Sequence, residues 1–161
     1  MMAGDRRAEA GGIIHVPRLC LVGVMSAPDR PGLVKAIFTE LGREHLNAQF
    51  IVQSIDLNND SHVQFCVDES DSGRVQVAMQ RIAQELGARK VVITNHVALI
   101  SVYGPDFRER PGIAGKAFGA LAEVGINILA VSTSISTITC VINDQDSAAA
   151  LAAWRKAYGL S

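Results

Sequence analysis

The chain carries one four-residue turn twice, 80 residues apart. Asp29–Gly32 (Asp-Arg-Pro-Gly) is matched at that distance by Glu109–Gly112 (Glu-Arg-Pro-Gly). The same spacing pairs further residues of like character: Leu33 with Ile113, Phe38 with Phe118, Leu41 with Leu121, Leu46 with Ile126, Asn47 with Asn127, Ile51 with Val131, Ser54 with Ser134 and Ile55 with Ile135. A register held this far indicates an internal duplication, so we expect two copies of one small module.

The length and composition favour two small globular modules. A module of roughly 70–80 residues is only marginally stable by itself, so the copies are expected to share a core with each other or across a dimer. Hydrophobic residues make up 48% of the chain and charged residues 19%, which is typical of a globular protein. The net charge of −1 and the 5% aromatic content do not indicate a nucleic-acid partner or an anionic membrane.

The N-terminus and the cysteines both favour a cytoplasmic protein. Residues 1–11 are polar and glycine-rich, without the apolar stretch of a signal peptide or membrane anchor, and are expected to be poorly ordered. Cys20, Cys66 and Cys140 are odd in number, widely spaced, and each placed in an apolar, strand-like run. They are interpreted as reduced core cysteines.

The hydrophobic periodicity of the first copy predicts the order β-α-β-β-α-β of a ferredoxin-like module. The predicted strands are residues 19–24, 46–57, 62–67 and 90–94. A helix over residues 33–43 has Asp29 as its predicted N-cap and Glu40 on its polar face. A second helix begins at Asp71 or Ser72.

The second copy lacks the last strand of this order. Its predicted elements are strands 97–103, 126–134 and 137–143, a helix over 113–124, and a final helix capped at Asp146 or Ser147 with Leu151, Trp154 and Tyr158 on its buried face. An unpaired sheet edge would remain if nothing replaced the missing strand. The spare apolar run Ile13–Val16 is expected to fill that place, which inserts the first copy into the second.

The predicted fold class is therefore α+β, with two ferredoxin-like modules whose helices lie on one face of antiparallel sheets. The expected first module covers residues 18–95. The expected second module covers residues 96–161 together with the N-terminal strand 12–17.

Several sequence motifs resemble those of one known family. They are Asp29–Gly32, Phe50–Ser54, Leu86–Arg89, Val97–Val102, Gly125–Ile128 and Val131–Ser134. The chain resembles, over about residues 13–160, the tandem ACT-domain regulatory region of aspartate kinase. The resemblance implies a region that binds end-product amino acids, lysine or threonine, between modules of two chains and conveys inhibition to a separate kinase domain.

The same resemblance implies a homodimer through the ACT modules and a kinase catalytic subunit as a further partner. Some family members make the region as a free small subunit. No kinase portion or phosphate loop is recognisable, and no cofactor is expected. A free regulatory subunit, a stand-alone amino-acid sensor and an excised piece of a longer protein all stay open.

The first copy offers a site for the two charged groups of a free amino acid. The backbone N–H groups of Gly32, Leu33 and Val34 open a helix and can bind the carboxylate. Gly32 lets the ligand approach the backbone, and Asp29 can receive the ammonium group. The alternative is that Asp29 is only a cap and Pro31 with Gly32 only a turn. At the equivalent place in the second copy, Gly112, Ile113, Ala114 and Ser134 form a possible second site.

Polar residues on the strand that follows the first helix extend the predicted site. Asn47 and Gln53 are six residues apart and are expected to share one strand face, with Ser54 beside them. A bond from Asn47 to a neighbouring backbone turn is an equal alternative. The resemblance implies that Gln53 and the second-module pair Asn127–Ile128 contact the ligand from opposite sides of the interface.

Two stretches depart from the family's pattern. Ser132–Thr137 (Ser-Thr-Ser-Ile-Ser-Thr) replaces the common Ser-Thr-Ser-Glu-Ile-Arg and so loses an acid and a base. This change favours a neutral or small ligand such as threonine over lysine. The hairpin Asn58–His62 (Asn-Asn-Asp-Ser-His) replaces the usual Gly-Thr-Thr-Asp-Ile run.

Catalytic and metal sites are not legible in the sequence. His15, His45, His62 and His96 have no metal-ligand spacing and form no Ser-His-Asp set. The basic run at residues 108–110 is interpreted as a solvated turn. Two functions remain in contention, a regulatory amino-acid-binding protein and a dimerisation or docking module that binds no ligand, with a ferredoxin-like enzyme disfavoured.

Overall fold

The chain runs through strand, helix, two strands and helix, and then repeats this order. The computed structural model describes residues 11–104, 107 and 111–160. The expectations for residues 1–10 and for the basic run at 108–110 lie outside the described residues. The elements are β1 (Gly12–Pro28), α1 (Leu33–Arg43), β2 (Gln49–Ile55), β3 (Asp60–Asp68), α2 (Ser72–Leu86), β4 (Lys90–Tyr103), α3 (Ile113–Glu123), β5 (Ala130–Thr133), β6 (Thr137–Asn143) and α4 (Ser147–Ala157).

The chain divides into two compact units, and the long strands β1 and β4 contribute residues to both. The unit of residues 18–97 is called the first module below, and residues 98–161 with the segment that ends at Pro17 are the second module. The strand order is β2-β3-β1-β4 in the first module and β1-β4-β6-β5 in the second. This topology confirms the predicted α+β class with two ferredoxin-like modules.

The core of the first module lies between its sheet and its two helices. Its members include Cys20, Val22 and Val24 of β1, Val63, Phe65 and Val67 of β3, Ile37 and Leu41 of α1, and Val75, Met79 and Ile82 of α2. Residues two apart on a strand share a face. Both helices therefore cover the same face of the sheet. Phe38 meets Phe65 edge to face, with 5.6 Å between the ring centroids.

The N-terminal segment completes the second module. β1 lies beside β4 at one side of this module's strand order. The Gly11 N–H donates to the Tyr103 carbonyl (2.6 Å), and Ile13 packs against the module's core. The Tyr103 ring lies close over Gly12, where an added Cβ would stand 2.8 Å from its Cζ atom. The glycine pair at residues 11 and 12 therefore makes room for this ring.

Two predicted strand ends are wrong because the strands continue through them. Pro17 does not end the N-terminal strand, and the predicted strands 90–94 and 97–103 are both parts of β4. Arg18 (φ 57°) and His96 (φ 59°) interrupt the regular backbone at these two places. In a sequence, a proline and a short break in the apolar pattern both look like strand ends. The φ of proline nevertheless suits an extended chain, so a strand can continue through it.

The strands β2 and β5 begin later than predicted, because the first residues of each predicted strand are hydrogen-bonded to the end of the preceding helix. The Leu46 N–H donates to the Leu41 carbonyl (2.8 Å), and the Ile126 N–H donates to the Leu121 carbonyl (3.0 Å). These are the six-to-one bonds of a Schellman helix end. Leu46 and Ile126 are buried, but their N–H groups belong to the helix ends and not to a strand ladder.

The three cysteines are buried and free, which confirms their interpretation as reduced core residues. Burial raises the pKa of the Cys20 thiol to about 11 and the pKa values of the Cys66 and Cys140 thiols to about 12. The thiolate is the reactive form. These side chains therefore stay protonated and act as small apolar residues at neutral pH.

Candidate functional site

The starts of α1 and α3 have the same backbone geometry. Gly32 has φ 91° and ψ −4°, and Gly112 has φ 91° and ψ −3°. Only glycine adopts such a φ without strain, which accounts for the repeated glycine of the turn. The N-cap of α1 is Gly32, so the prediction of Asp29 as N-cap is wrong. Asp29 lies three residues upstream, where its N–H donates to the Asn59 carbonyl (3.0 Å).

Both helices begin with backbone N–H groups that the helical ladder does not use. The first bonds within the helices run from the Ala36 N–H to the Gly32 carbonyl (2.9 Å) and from the Lys116 N–H to the Gly112 carbonyl (3.0 Å). The N–H groups earlier in each first turn lie outside the helical ladder, and that of Leu33 donates to the Arg30 carbonyl (3.4 Å). With the helix dipole, they favour a negatively charged group.

A cavity of 240 Å³ lies at the start of α3 and is called the α3 cavity below. It is lined by Phe107, Gly112, Ile113, Ala114, Thr133, Ser134 and Ile138. The four residues of the predicted second site, Gly112, Ile113, Ala114 and Ser134, therefore line one cavity. The sequence interpretation does not include Phe107, Thr133 and Ile138. Phe107 and Ile138 are apolar, and apolar side chains are expected beside the apolar part of a ligand.

Ser134 organises the turn that closes the α3 cavity. Its hydroxyl lies 2.7 Å from the Thr137 hydroxyl and accepts the Thr137 N–H (3.2 Å). The Ser134 N–H donates in turn to the Thr137 carbonyl (2.9 Å). These bonds fix the short connection between β5 and β6. The neighbouring Thr133 is exposed and adds a hydroxyl to the cavity wall.

Two aromatic side chains of α4 hold the start of α3 from within the core. Trp154 and Tyr158 are buried as predicted, whereas Leu151 is only half-buried. The Tyr158 hydroxyl donates to the Ile113 carbonyl (3.0 Å), and the Trp154 Nε1–H donates to the Ala117 carbonyl (3.0 Å). The backbone that would bind a carboxylate is therefore fixed by two long-range hydrogen bonds.

The first module has a groove of 360 Å³ between α1 and α2, and Gly32 is part of its wall. Glu40 lies in this groove and is 3% exposed, so its prediction as a polar-face residue is wrong. Its carboxylate pairs with Arg43 (3.1 Å) and with Arg81 of α2. A buried carboxylate requires such partners. The pair with Arg81 ties the two helices together near the end of α1.

The predicted face shared by Asn47 and Gln53 does not exist. Asn47 is an exposed loop residue before β2, and Phe50 (φ 63°) shifts the strand register directly after Gln49. Gln53 lies opposite the buried Val63, and its Nε2–H donates to the Ser61 hydroxyl (2.8 Å). The buried Ser61 thus has a partner.

The other predicted residues lie at the edges of their modules. Leu33 is buried and Val34 half-buried in the first turn of α1, and Ser54 is exposed on β2 opposite His62. Asn127 is exposed in the loop before β5. Ile128, beside it, is half-buried and packs against the second module's core.

Neither a metal centre nor a membrane span is found in the described part of the chain. No three His, Cys, Asp or Glu side chains among the described residues are grouped so as to hold a metal ion. None of the helices within the described ranges is long and apolar enough to cross a membrane.

Comparison with known proteins finds a family model for the second module and relatives over most of the chain. A family model described as ACT domain matches residues 100–158. The aspartokinase of Mycolicibacterium smegmatis is 28% identical over 151 residues, covering 92% of this chain and 36% of the relative. The aspartate kinase of Pseudomonas fluorescens is 30% identical over 137 residues, covering 85% of this chain and 33% of the relative. The chain thus spans about a third of the length of these relatives.

Solved structures agree in fold over nearly the whole chain. The aspartate kinase from Synechocystis matches with a TM-score of 0.90 at 29% identity, over 95% of this chain and 28% of that one. A structure of aspartokinase alpha and beta subunits matches with a TM-score of 0.84 at 25% identity, over 94% and 99%. The ligand-free regulatory subunit of aspartate kinase from Thermus thermophilus matches with a TM-score of 0.82 at 23% identity, over 93% and 99%.

Proposed function

Because the chain consists of two ACT modules and resembles the regulatory regions of aspartate kinases, we propose that it is a non-catalytic protein that binds a free amino acid and regulates a kinase. The relatives that it matches are about three times as long. The kinase activity would therefore reside in a separate catalytic domain or subunit. The match to a regulatory subunit over 99% of that subunit supports a region of this size acting as a unit.

The α3 cavity is the observation that carries this proposal. Its helix start, with the N–H groups of Ile113 and Ala114 in the first turn, suits the carboxylate of an amino acid. The Thr133 hydroxyl is placed to accept from an ammonium group or to bond a hydroxyl side chain. Phe107 and Ile138 give the cavity an apolar wall. A volume of 240 Å³ is below the roughly 300–1,000 Å³ of drug-sized pockets, which suits a small metabolite.

The equivalent site of the first module would be completed by a second copy of the chain. It would consist of Asp29, Gly32, Leu33, Val34, Gln53 and Ser54, with Asn47 at its rim and Asn127 and Ile128 supplied across the dimer. The exposed β2 edge supports this arrangement, since Ile51 is 50% and Ile55 53% exposed on it. An edge strand with exposed aliphatic side chains is a surface for pairing with another chain.

We expect a neutral amino acid with a small side chain to bind, threonine before lysine. The glutamate and arginine that follow the Ser-Thr-Ser motif in the family are replaced by Ile135 and Thr137. Lysine carries a second positive charge, which is costly to bury without a partner.

A melting screen against the twenty amino acids tests ligand binding. A ligand at about 100 times its dissociation constant adds roughly 2.7 kcal/mol to the free energy of unfolding. We expect threonine to raise the melting temperature and glycine, which has no side chain, to raise it less. If no amino acid shifts it, the docking module without a ligand becomes the better interpretation, and co-purification with a larger chain would then be the property to measure.

Replacing Gln53 by alanine tests the first-module site. We expect weaker binding of the amino acid while the far-ultraviolet circular dichroism spectrum stays native. Isothermal titration calorimetry measures the affinity and the number of sites. Gln80→Ala is the matched control, because Gln80 is an exposed amide on α2. Unchanged affinity and stoichiometry in Gln53→Ala would place the ligand in the α3 cavity alone.

A further inference from the structure

His62 connects three segments of the first module through its two ring nitrogens. The Ser26 N–H of β1 donates to His62 Nδ1 (3.1 Å), so this nitrogen must be an unprotonated acceptor. The proton of the neutral ring then lies on Nε2, which donates to Asp56 Oδ2 (3.0 Å). The imidazole is therefore held in one tautomer between a backbone donor and a carboxylate.

Asp56 fixes the other end of this arrangement. Its Oδ1 accepts the N–H groups of Asn58 (2.8 Å) and Asp60 (3.1 Å) in the turn between β2 and β3. The hydrogen bond from His62 and the N–H of Asp60 lower the pKa of the Asp56 carboxyl. The carboxylate thus stays charged through the range in which histidine titrates.

These contacts lead directly to the proposed amino-acid site. Ser26 has a left-handed φ of 57° at an irregularity of β1, three residues before Asp29. The Asp29 N–H donates to the Asn59 carbonyl of the same hairpin. Ser54 lies opposite His62, and Gln53 bonds to the adjacent Ser61. His62 therefore borders the segments that carry three of the site's residues.

Protonation of the ring acts differently on its two contacts. A proton on Nδ1 removes the acceptor and directs two N–H groups at each other, so the bond from Ser26 is lost. The attraction to Asp56 is kept and strengthened. Asp60, two residues before His62 on β3, is a second acidic residue of the same hairpin, and Ser26 of β1 meets the ring through its backbone N–H. The hairpin thus holds the charged ring while β1 is released.

We propose that His62 is a positioning residue that makes amino-acid binding at the first module depend on pH, an inference that rests on the function proposed above. The neutral ring holds Ser26 and, through it, the Asp29–Gly32 turn in the binding geometry. The binding-competent state carries the neutral ring, so acid that protonates the ring lowers the affinity.

The size of the effect follows from the loss of one backbone hydrogen bond. Such a bond contributes about 0.5–1.5 kcal/mol, which corresponds to a fall in affinity of roughly 2- to 12-fold. We expect this change between pH 8 and pH 5.5. His62→Gln should lose the pH dependence, because a glutamine can accept from Ser26 and donate to Asp56 without titrating. His62→Ala should bind more weakly at both pH values.

The experiment combines nuclear magnetic resonance with calorimetry on the full chain. The Ser26 amide and the His62 ring are followed from pH 8 to pH 5.5, and the affinity for threonine or lysine, whichever raises the melting temperature, is measured at both ends. The Ser26 amide resonance should move with the midpoint of the His62 ring. His96→Asn is the control, because His96 is an exposed histidine paired with Glu69, and it should keep the wild-type profile.

The outcomes separate this inference from the proposed function. A Ser26 amide that ignores the titration of His62 overturns the inference, as does a His62→Gln protein whose affinity still falls at low pH. Absence of binding at pH 8 overturns the proposed function and the binding part of the inference. In that case the pH dependence of the Ser26 amide resonance in the wild-type protein still decides whether His62 controls the turn.

Discussion

Trp154→Ala should strongly destabilise the second module while leaving the stability of the first unchanged. Trp154 is fully buried, and its Nε1–H donates to the Ala117 carbonyl. Truncating a buried tryptophan to alanine costs about 3–5 kcal/mol, a large part of the roughly 5–15 kcal/mol that a whole domain has. Each kcal/mol lowers the melting temperature of a 60–100-residue domain by about 4–8 °C. We therefore expect a loss of at least ~12 °C in the transition of this module.

Calorimetry and backbone amide spectra measure this effect, because Trp154 is the chain's one tryptophan and the variant has no fluorescence probe. Trp154→Phe separates packing from hydrogen bonding, since it keeps an aromatic ring and loses the donor. Met79→Ala is the matched control: Met79 is fully buried on α2 of the first module. It should lower the transition of the first module, leaving the Trp154 fluorescence transition in place. One common transition for both variants would show that the modules unfold as a single cooperative unit.

Ligand binding should respond to Trp154→Ala even where the chain stays folded. The lost bond to Ala117 and the disturbed packing around Tyr158 loosen the first turn of α3, which lines the α3 cavity. A ligand confined to the first-module site would lose less affinity, because only Asn127 and Ile128 would reach that site from a second module. The variant therefore affects the two proposed sites unequally.

Most of the fold could be predicted because a local sequence pattern occurs twice in the chain. The turn with glycine at 32 and 112 fixes where α1 and α3 begin, and the structure gives both glycines the same φ of 91°. The missing strand followed from counting elements. The strand ends could not be predicted as well, since Leu46 and Ile126 are as apolar as strand residues. Their hydrogen bonds to the preceding helix end depend on a local geometry that hydropathy does not encode.

The candidate site was less predictable because its contacts join residues distant in sequence. The periodicity of α1 predicts that Glu40 is exposed. Its ion pair with Arg81, 41 residues later in the sequence, explains its burial. Nothing in the sequence distinguishes His62 from the other histidines. Its contact with the backbone N–H of Ser26, 36 residues earlier, exists only in the folded chain. In the second module the predicted residues did meet at one cavity, because the repeat placed them at the equivalent helix start. Local pattern thus locates a site, and tertiary contacts decide its electrostatics.

Deleting residues 1–17 should destabilise the second module by removing its part of β1. Ile13 and Val16 are both half-buried, and Ile13 packs against the core. Full burial of such a side chain contributes about 1.5–3 kcal/mol, so the two half-buried side chains together account for roughly 1.5–3 kcal/mol. The deletion also leaves β4 with unpaired backbone groups at Tyr103 and before it, which creates an edge prone to pair with other chains.

Trp154 fluorescence reports on this change, because the tryptophan lies in the core of the second module. We expect its unfolding transition to fall by roughly 6–24 °C after the deletion and the protein to associate at high concentration. Deleting only residues 1–10 keeps all of β1 and should leave the transition unchanged. Ile13→Asn places a polar group in the same packing position without removing backbone bonds, so it should lower the transition by less. An unchanged transition after deletion of residues 1–17 would mean that the second module closes without the N-terminal strand, and the inserted topology would then contribute nothing to its stability.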